Sequence, residues 1–212
     1  MIKPQILNAL PQIELFLEHC EQSSYPPKTV IIREGEISDF LYFILDGSVS
    51  IVLEGDSDHE MVVTYLNPGE FFGELDLFGD TDEPRSAMVI AKSPCEIARI
   101  SYPRFHEIRS QHPDILFAIA NQMSIQLRHT TRKLRDLAFV DVAGRIANAL
   151  LELCDEPDAM THPDGMQIKV TRQELAKIVG CSREMAGRVL KTLSEDGLIS
   201  ATGKTLVVYG AR

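Results

Sequence analysis

The pattern of hydrophobic and polar positions changes twice along the chain. From about residue 25 to residue 105, short β-branched and aromatic runs alternate with glycine and proline at spacings typical of a β-sandwich or barrel. We predict a compact, jelly-roll-like β-roll over this part of the chain. We also expect a helix on each side of it, over residues 5–20 and 103–111.

The second pattern is a heptad repeat between Pro113 and Phe139. Apolar residues recur there at alternating steps of four and three, which is the spacing of a coiled-coil seam. The members of this seam are Leu116, Ala120, Met123, Leu127, Thr130, Leu134 and Leu137. We predict a long helix that pairs with its copy in a homodimer; the alternative is an ordinary helix packed on its own domain. Thr130 and its neighbour Thr131 place two hydroxyls at one level of the dimer axis, where a ligand can use them.

After Phe139, the stretch "VDVAGRIANALLELC" predicts a helix that has Asp141 as its N-cap and ends before Pro157. We expect the next stretch, "DEPDAMTHPDGMQIKV", to be a loop. This segment therefore connects the long helix to the C-terminal part of the chain.

Capping signals then predict a helix-turn-helix. Thr171 and Glu174 form a capping box, and Gly180 can take the left-handed position at the end of the first helix. Ser182 can cap a second helix after a turn of three residues. The stretch "LISATGKTLVVYG" adds two short strands around residues 202–203, which predicts a wing.

These patterns together predict an α+β fold in three parts. They are a β-roll with flanking helices over residues 1–112, a dimerisation helix over 113–139 and a winged helix-turn-helix over 140–212. The 212 residues, 44% of them hydrophobic, suffice for such cores. No apolar run approaches the ~20 residues of a membrane span, and the N-terminus has no secretion signal pattern. We therefore expect a cytoplasmic protein without a membrane partner.

Cysteine and histidine spacing argues against metal chemistry. The four cysteines lie far apart without a C-x-x-C pair, so we expect reduced thiols and neither a disulfide framework nor a zinc site. The six histidines show no metal-ligand spacing, and an enzyme on a cupin-like barrel would need clustered ligands. We expect no metal, no catalytic residue and no enzyme.

The charge distribution adds a candidate partner. The net charge of −10 argues as an average against nucleic acid, but residues 165–192 hold six basic and two acidic side chains. A local positive stripe on an acidic protein is compatible with selective DNA binding. We therefore expect double-stranded DNA to bind at the helix-turn-helix.

The second helix of this motif carries side chains suited to base reading. Arg183 and Arg188 can each grip guanine, and Glu184 can accept from cytosine. Arg172 and Gln173 begin the first helix and can meet phosphates. With Ser182, the predicted cap of the second helix, the predicted DNA-binding set is Arg172, Gln173, Ser182, Arg183, Glu184 and Arg188. The alternative for Glu184 and Arg188 is a surface ion pair one helical turn apart.

The order of these parts, with "LAFVDVAGRIA", "PDAMTHPDGMQIKVTRQE", "VGCSREMAGRVLK" and "GKTLVVYG", resembles the cyclic-AMP receptor protein (catabolite activator, CRP/FNR) family of bacterial regulators. The resemblance covers nearly the whole chain. It implies a two-fold dimer whose recognition helices lie one DNA turn apart and read a pseudo-palindrome.

The resemblance also implies cyclic AMP as the allosteric effector. A loop like "FFGEL...RSA" would cradle its ribose and phosphate, with Glu74 on the ribose hydroxyl and Arg85 and Ser86 on the phosphate. The implied binding residues are Thr64, Gly73, Glu74, Leu75, Arg85, Ser86, Thr130 and Thr131, the last supplied by the partner subunit. The alternative from the residues alone is a Glu74–Arg85 salt bridge that closes a surface turn. Asp76 either points into this site or faces outward from the first turn of a short helix.

Two further implications concern partners and ligands. The stretch "PDAMTHPDG" resembles a patch that contacts the C-terminal domain of the RNA polymerase α subunit; its residues here are Ala159, Thr161, His162, Pro163, Asp164 and Gly165. The alternative is a polar connector. The alternatives to cyclic AMP are cyclic di-GMP, cyclic GMP, or a protein that senses no nucleotide. The Arg85–Ser86 pair favours cyclic AMP. Haem or iron-sulfur sensing is disfavoured because no N-terminal cysteine cluster exists.

Overall fold

The computed structural model describes residues 6, 10, 13–37, 39–55, 60–78 and 84–211. The chain divides into two compact units, Met1–Asp56 with Val63–Thr130 and Ser57–Val62 with Thr131–Arg212. The acidic end of the predicted ligand loop, residues 79–83, lies outside the described residues, as does much of the predicted helix over residues 5–20. The three-part division at residues 112 and 139 stays a prediction.

Two antiparallel four-stranded sheets confirm the predicted β-roll. Their strand orders are β1-β8-β3-β6 and β2-β7-β4-β5. The strands are β1 Glu21–Tyr25, β2 Val30–Ile32, β3 Phe40–Asp46, β4 Val49–Glu54, β5 Glu60–Leu66, β6 Phe71–Phe72, β7 Met88–Ala91 and β8 Cys95–Ser101.

Strand β3 shows how the sequence builds two cores. Successive side chains of a strand point to opposite faces of the sheet. Tyr42 and Ile44 accordingly join the core inside the roll, whereas Leu41 and Phe43 join a second core with the helices. Because both faces of this sheet are covered, the strand reads as the nearly continuous apolar run "FLYFIL".

Three helices are described beside these sheets: α1 Ile13–Leu17, α2 Tyr102–Ile108 and the long α3 Pro113–Phe139. α2 and α3 occur where the sequence predicted them. α3 packs Ile115 and Ile119 into the second core. Its Gln122 side chain donates to the carbonyl of Phe71 at 2.7 Å and accepts from the amide of Phe71 at 2.8 Å, which fixes the helix to β6.

The N-terminal part of the predicted seam adjoins this buried stripe, since Leu116 and Met123 pack against the second core. Leu127 and Leu134 have 69% and 67% of their surface exposed in the single chain, and Thr130 is exposed as well. One face of α3 thus serves its own domain, as the alternative prediction held, while several seam residues remain accessible. The two predictions are therefore compatible for the same helix.

The C-terminal unit contains a small sheet and three more helices. The helices are α4 Val142–Cys154, α5 Arg172–Val179 and α6 Arg183–Glu195, and the strands, in sheet order β11-β12-β10-β9, are β9 Met160–His162, β10 Gly165–Lys169, β11 Ile199–Thr202 and β12 Thr205–Tyr209. Asp141 caps α4 as predicted, since its carboxylate accepts from the amide of Gly144 at 2.8 Å.

The loop predicted over residues 155–170 is wrong in part. Residues 160–169 form the hairpin β9–β10, in which Met166 pairs with Thr161 on one side and Val208 on the other. The sheet takes up the polar segment because β12 offers its backbone groups to β10, which a reading of local sequence cannot show. The predicted α+β fold is confirmed.

Candidate functional site: a loop around Arg85 and a helix-turn-helix surface

The loop that follows β6 is positioned by the two phenylalanines before it. The Phe71 ring packs against Phe43 among the helix-side residues, and the Phe72 ring stacks on Tyr42 inside the roll, with 4.7 Å between ring centroids in each pair. The chain leaves the strand with both faces anchored. Gly73 is the first residue that is free of this packing.

Gly73 has a left-handed backbone with φ of 76°. A Cβ atom at this position would lie 2.9 Å from the carbonyl oxygen of Phe40 and 3.2 Å from Nη1 of Arg85. Only glycine takes this conformation without strain, and only a residue without a side chain leaves this space open. The loop therefore brings its backbone close to the guanidinium.

Glu74 follows and is 6% exposed. It precedes a short 3-10 helix, Leu75–Leu77, which is anchored by the buried side chain of Leu77. Burial raises the pKa of the Glu74 carboxyl above its ordinary value, and its backbone hydrogen bond and the charge of Arg85 oppose that rise. A buried carboxyl without a dominant counter-ion is available to accept from a ligand hydroxyl.

Arg85 is the centre of the site and is 5% exposed. Its Nη1 donates to the carbonyl of Gly73 at 3.0 Å, to the Tyr102 hydroxyl at 2.9 Å and to the carboxylate of Asp76 at 2.8 Å. Its Nη2 donates to the carbonyl of Phe40 at 2.8 Å.

The Nε atom of Arg85 is buried and has no hydrogen-bond partner. A buried donor without a partner costs about 1–3 kcal/mol, so an acceptor at this edge of the guanidinium is favoured. A phosphate oxygen suits it, because arginine binds phosphate through paired N–H groups. The side chains present therefore fit an anionic group of the phosphate kind.

The structure corrects the surface-turn alternative for this loop. Glu74 and Arg85 are both buried, and the described ion pair of Arg85 is with Asp76. Asp76 lies in the first turn of the short helix but points inward to Arg85, so the outward-facing alternative for its side chain is wrong. The sequence could not separate the two alternatives, because the choice depends on where Arg85 lies in the folded roll.

Tyr102 belongs to the site and was missed by the sequence analysis. Its hydroxyl donates to the carbonyl of Gly73 and accepts from Arg85. Burial raises the pKa of Tyr102 to about 12, so it stays a neutral donor at physiological pH. Since it lies at the junction of β8 and α2, only the tertiary fold brings it to residue 73.

The other predicted ligand residues are less enclosed. Ser86 is exposed next to Arg85, and Leu75 is exposed on the short helix. Thr64 lies on β5 and donates to the carbonyl of Tyr65 at 3.2 Å. Thr130 and Thr131 are exposed on α3. The structure brings together Gly73, Glu74 and Arg85, and the roles of the remaining residues stay predictions.

In the C-terminal unit the two predicted N-caps and the predicted end of the first helix are confirmed, and the reciprocal contact of the Glu174 side chain in the capping box stays a prediction. Thr171 accepts from the amide of Glu174 at 3.1 Å, and Ser182 accepts from the amide of Met185 at 3.2 Å. Gly180 ends α5 in the left-handed conformation with φ of 67°. These contacts fix the turn between α5 and α6.

The six predicted DNA-binding side chains are all exposed. The alternative ion pair between Glu184 and Arg188 is not among the pairs of the described residues; Lys191 and Glu195 form one instead, at 3.6 Å. Both side chains are exposed, and Nη2 of Arg188 lies 3.8 Å from the sulfur of Met185 on the same helix. This arrangement suits direct contact with base edges.

A groove of about 750 Å³ lies between α5, α6 and the wing. It is lined by four basic side chains, Arg172, Arg183, Lys191 and Lys204. The predicted DNA-binding set contains neither lysine, although Lys191 is one of the six basic residues counted over residues 165–192. Lys204 lies in the turn that joins β11 to β12, and this position is the sequence feature that could have pointed to a role in DNA binding, because a wing exposes the residues of its turn.

The segment predicted to meet RNA polymerase forms the tip of the β9–β10 hairpin. Thr161, Pro163 and Asp164 are exposed there. Gly165 is buried against the backbone of Val208, where a side chain would collide. The patch is therefore a structured tip, and its contact with the polymerase stays a prediction.

No helix of the described residues is long and apolar enough to cross a membrane. Within the same residues, no group of three or more histidine, cysteine or acidic side chains could hold a metal ion.

Two protein-family models match the two regions described above, the loop around Arg85 and the helix-turn-helix. A family model described as a cyclic nucleotide-binding domain matches residues 22–112, and one described as a Crp-like helix-turn-helix domain matches residues 144–209. These two domains in one chain define a class of transcription regulator that combines nucleotide recognition with DNA recognition.

The relatives are similar over nearly their full length. The chain is 54% identical to the cAMP-activated global transcriptional regulator Vfr of Pseudomonas aeruginosa, over 96% of each protein. It is 52% identical to the cAMP-activated global transcriptional regulator CRP of Salmonella typhimurium, over 95% of this chain and 96% of the relative. Among solved structures, the c-di-GMP responsive global regulator CLP of Xanthomonas campestris matches with 47% identity and a TM-score of 0.89, over 94% of this chain and 99% of that one. This chain belongs to the CRP/FNR family of transcription regulators.

Proposed function

We propose that this protein is a cyclic-AMP-responsive, homodimeric transcription regulator that binds pseudo-palindromic DNA. The observation that carries the proposal is the buried guanidinium of Arg85, whose Nε has no partner, next to the open backbone of Gly73 and the buried carboxyl of Glu74. Such a group is suited to binding a small anion rather than to catalysis. Its place of action would be the bacterial cytoplasm, where DNA and RNA polymerase are found.

Each side chain would have a distinct task in the site. Arg85 and Ser86 would hold the cyclic phosphate, and Glu74 would accept from the ribose 2'-hydroxyl. A charge-assisted hydrogen bond contributes about 1.5–3 kcal/mol, whereas micromolar affinity needs about 8 kcal/mol. Burial of the base must therefore add the rest, and Thr130 with Thr131 from the partner subunit would contact its polar edge.

The exposed part of the α3 seam supports the dimer. Leu127 and Leu134 are apolar, largely exposed and spaced by seven residues along α3. A second copy of α3 would cover them by coiled-coil packing. Cyclic AMP is proposed as the effector because the relatives are described as cAMP-activated. A ligand that touches both subunits at the seam can favour the dimer arrangement that it binds more tightly.

DNA recognition would use α6. Arg183, Glu184 and Arg188 would read base edges in the major groove, while Arg172, Gln173 and Ser182 would contact the backbone. A two-fold dimer would place two such helices about one helical turn of DNA apart.

Contact with RNA polymerase would use the hairpin tip. Its exposed residues Thr161, Pro163 and Asp164 lie on a short turn that is held by the sheet. We propose that this tip touches the C-terminal domain of the RNA polymerase α subunit, which would make the protein an activator at suitable promoters.

A second candidate effector is cyclic di-GMP. It is favoured by the similarity to the Xanthomonas campestris regulator whose structure is described as c-di-GMP responsive. The buried guanidinium suits a phosphodiester of either kind. A direct competition between the two nucleotides separates the candidates.

Calorimetric titration with cyclic AMP, cyclic GMP and cyclic di-GMP tests the proposal. Wild-type protein should bind cyclic AMP, and Arg85→Leu should weaken that binding by about tenfold or more, because one charge-assisted bond contributes at least ~1.5 kcal/mol. Arg104→Leu, which removes an exposed arginine from α2, is the matched control and should bind as wild type does. Preference for cyclic di-GMP, or equal binding by wild type and Arg85→Leu, would overturn the cyclic AMP assignment.

A further inference from the structure

Asp76 places a second negative charge against the arginine of the ligand site. Its Oδ2 lies 2.8 Å from Nη1 of Arg85, and the two side chains are 13% and 5% exposed. Ion pairs on the surface are weakened by water, but this pair is largely withdrawn from it. The carboxylate therefore offsets much of the charge that Arg85 would offer to an anion.

The position of Asp76 is set by the short helix that carries it. Leu75–Leu77 is anchored by Leu77, which is 4% exposed and belongs to the helix-side core. Leu75, on the other side, is exposed. This anchoring keeps the Asp76 carboxylate directed at the guanidinium.

Arg85 does not need this carboxylate for its orientation. Nη1 has three acceptors within hydrogen-bond distance for its two hydrogens, and two of those acceptors, the Gly73 carbonyl and the Tyr102 hydroxyl, are neutral. Nη2 is held by the Phe40 carbonyl. Removing the charge of Asp76 thus leaves three neutral acceptors around the guanidinium.

The edge of Arg85 that remains for a ligand is on its Nε. This atom is buried without a partner, while the acidic contact is made by Nη1. A phosphate at Nε would share the guanidinium with Asp76 and would lie within several ångströms of its charge. Two like charges so close repel each other even when water partly screens them.

We propose that Asp76 is an affinity-determining residue, an internal counter-ion to Arg85 that weakens the binding of a cyclic phosphate. The proposal rests on the function proposed above, because it takes Arg85 as the phosphate ligand. Asp76 raises the ligand concentration at which the site fills and leaves the geometry of Arg85 to its neutral partners. The site is thereby adjusted to respond only at higher effector concentration.

The test measures the dissociation constant of cyclic AMP with full-length protein by calorimetry. Asp76→Asn keeps the shape and removes the charge, and we expect it to bind about a hundredfold more tightly, as like charges about 6 Å apart imply at an effective dielectric constant of about 20. Asp155→Asn, which makes the same charge change after α4, is the control and should alter the constant less than about twofold. Thermal unfolding without ligand shows that each variant is folded, and Asp76→Ser is a second neutral variant should Asp76→Asn not fold.

The outcomes separate this inference from the proposed function. If wild type binds, Arg85→Leu does not, and the neutral variants at residue 76 bind equally or more weakly, the inference is overturned and the proposed function stands. A positioning role for Asp76 would give that weaker binding. Tighter binding by the neutral variants supports the inference, including the case in which wild type binds too weakly to measure. If neither wild type nor the neutral variants bind cyclic AMP, both the proposed function and the inference are overturned.

Discussion

Replacement of Gly73 by alanine tests whether the ligand loop is built around a missing side chain. Gly73 has φ of 76°, and an added Cβ would lie 2.9 Å from the carbonyl oxygen of Phe40. The Phe40 atom belongs to the backbone of β3 and cannot rotate away. The same Cβ would lie 3.2 Å from Nη1 of Arg85, so the guanidinium must also move.

The magnitude follows from two costs. A left-handed conformation costs a residue with a Cβ about 1–2 kcal/mol. Overpacking against fixed atoms adds about 1–3 kcal/mol. We therefore expect Gly73→Ala to lower the free energy of unfolding by about 2–5 kcal/mol. It should also weaken cyclic AMP binding, because the displaced Nη1 atom belongs to Arg85, the side chain proposed to bind the phosphate.

Gly35→Ala is the matched control within the same β-roll. Gly35 has φ of 81°, but nothing lies within 4 Å of its added Cβ. It should incur the backbone cost alone, about 1–2 kcal/mol, and should keep its ligand affinity. Denaturant unfolding and calorimetry on both variants provide the two readouts. Equal losses of stability in the two variants, or unchanged ligand affinity in Gly73→Ala, would refute the account of this loop.

Three further predictions concern other parts of the chain. Ser182→Ala should destabilise the helix-turn-helix by about 1 kcal/mol, because it removes the cap of α6; thermal unfolding without any loss would contradict the assignment. Lys204→Ala should weaken DNA binding and reduce the slope of its salt dependence by about 1, as loss of one phosphate contact does; an unchanged slope in fluorescence anisotropy would remove Lys204 from the interface. Glu74→Gln should become more stable relative to wild type as pH rises. The raised pKa of Glu74 means that the folded state binds the proton more tightly than the unfolded state, so wild type loses that stability as pH rises from the ordinary pKa through the raised one. Denaturant unfolding at pH 4 and pH 7 measures the difference between the two proteins, and a constant difference would contradict the burial of an ionisable carboxyl.

Local signals explain what the sequence predicted well. The caps at Thr171, Gly180 and Ser182 depend on hydrogen bonds and backbone angles within a few residues, so a single chain segment contains the whole cause. The bounds of α3 follow from its apolar periodicity in the same way. The β-roll was recognisable because its turns are marked by glycine and proline.

The parts that the sequence did not predict depend on partners far along the chain. Asp76 pairs with Arg85, nine residues away, and Tyr102 reaches Gly73 across 29 residues. The strands of the 160–169 hairpin need the backbone of β12. In each case the local sequence permits several conformations, and the tertiary neighbour selects one.

In the function proposed above, a small anion held by Arg85 controls DNA reading by α6. The most direct test of this control is fluorescence anisotropy with a duplex selected from a random library by the wild-type protein in the presence of cyclic AMP. Wild-type protein should bind this duplex much more tightly with cyclic AMP than without it, while Arg85→Leu should give the weak binding in both conditions. Equal affinity in all four samples would contradict the account, because the helix-turn-helix would then act independently of the site in the β-roll.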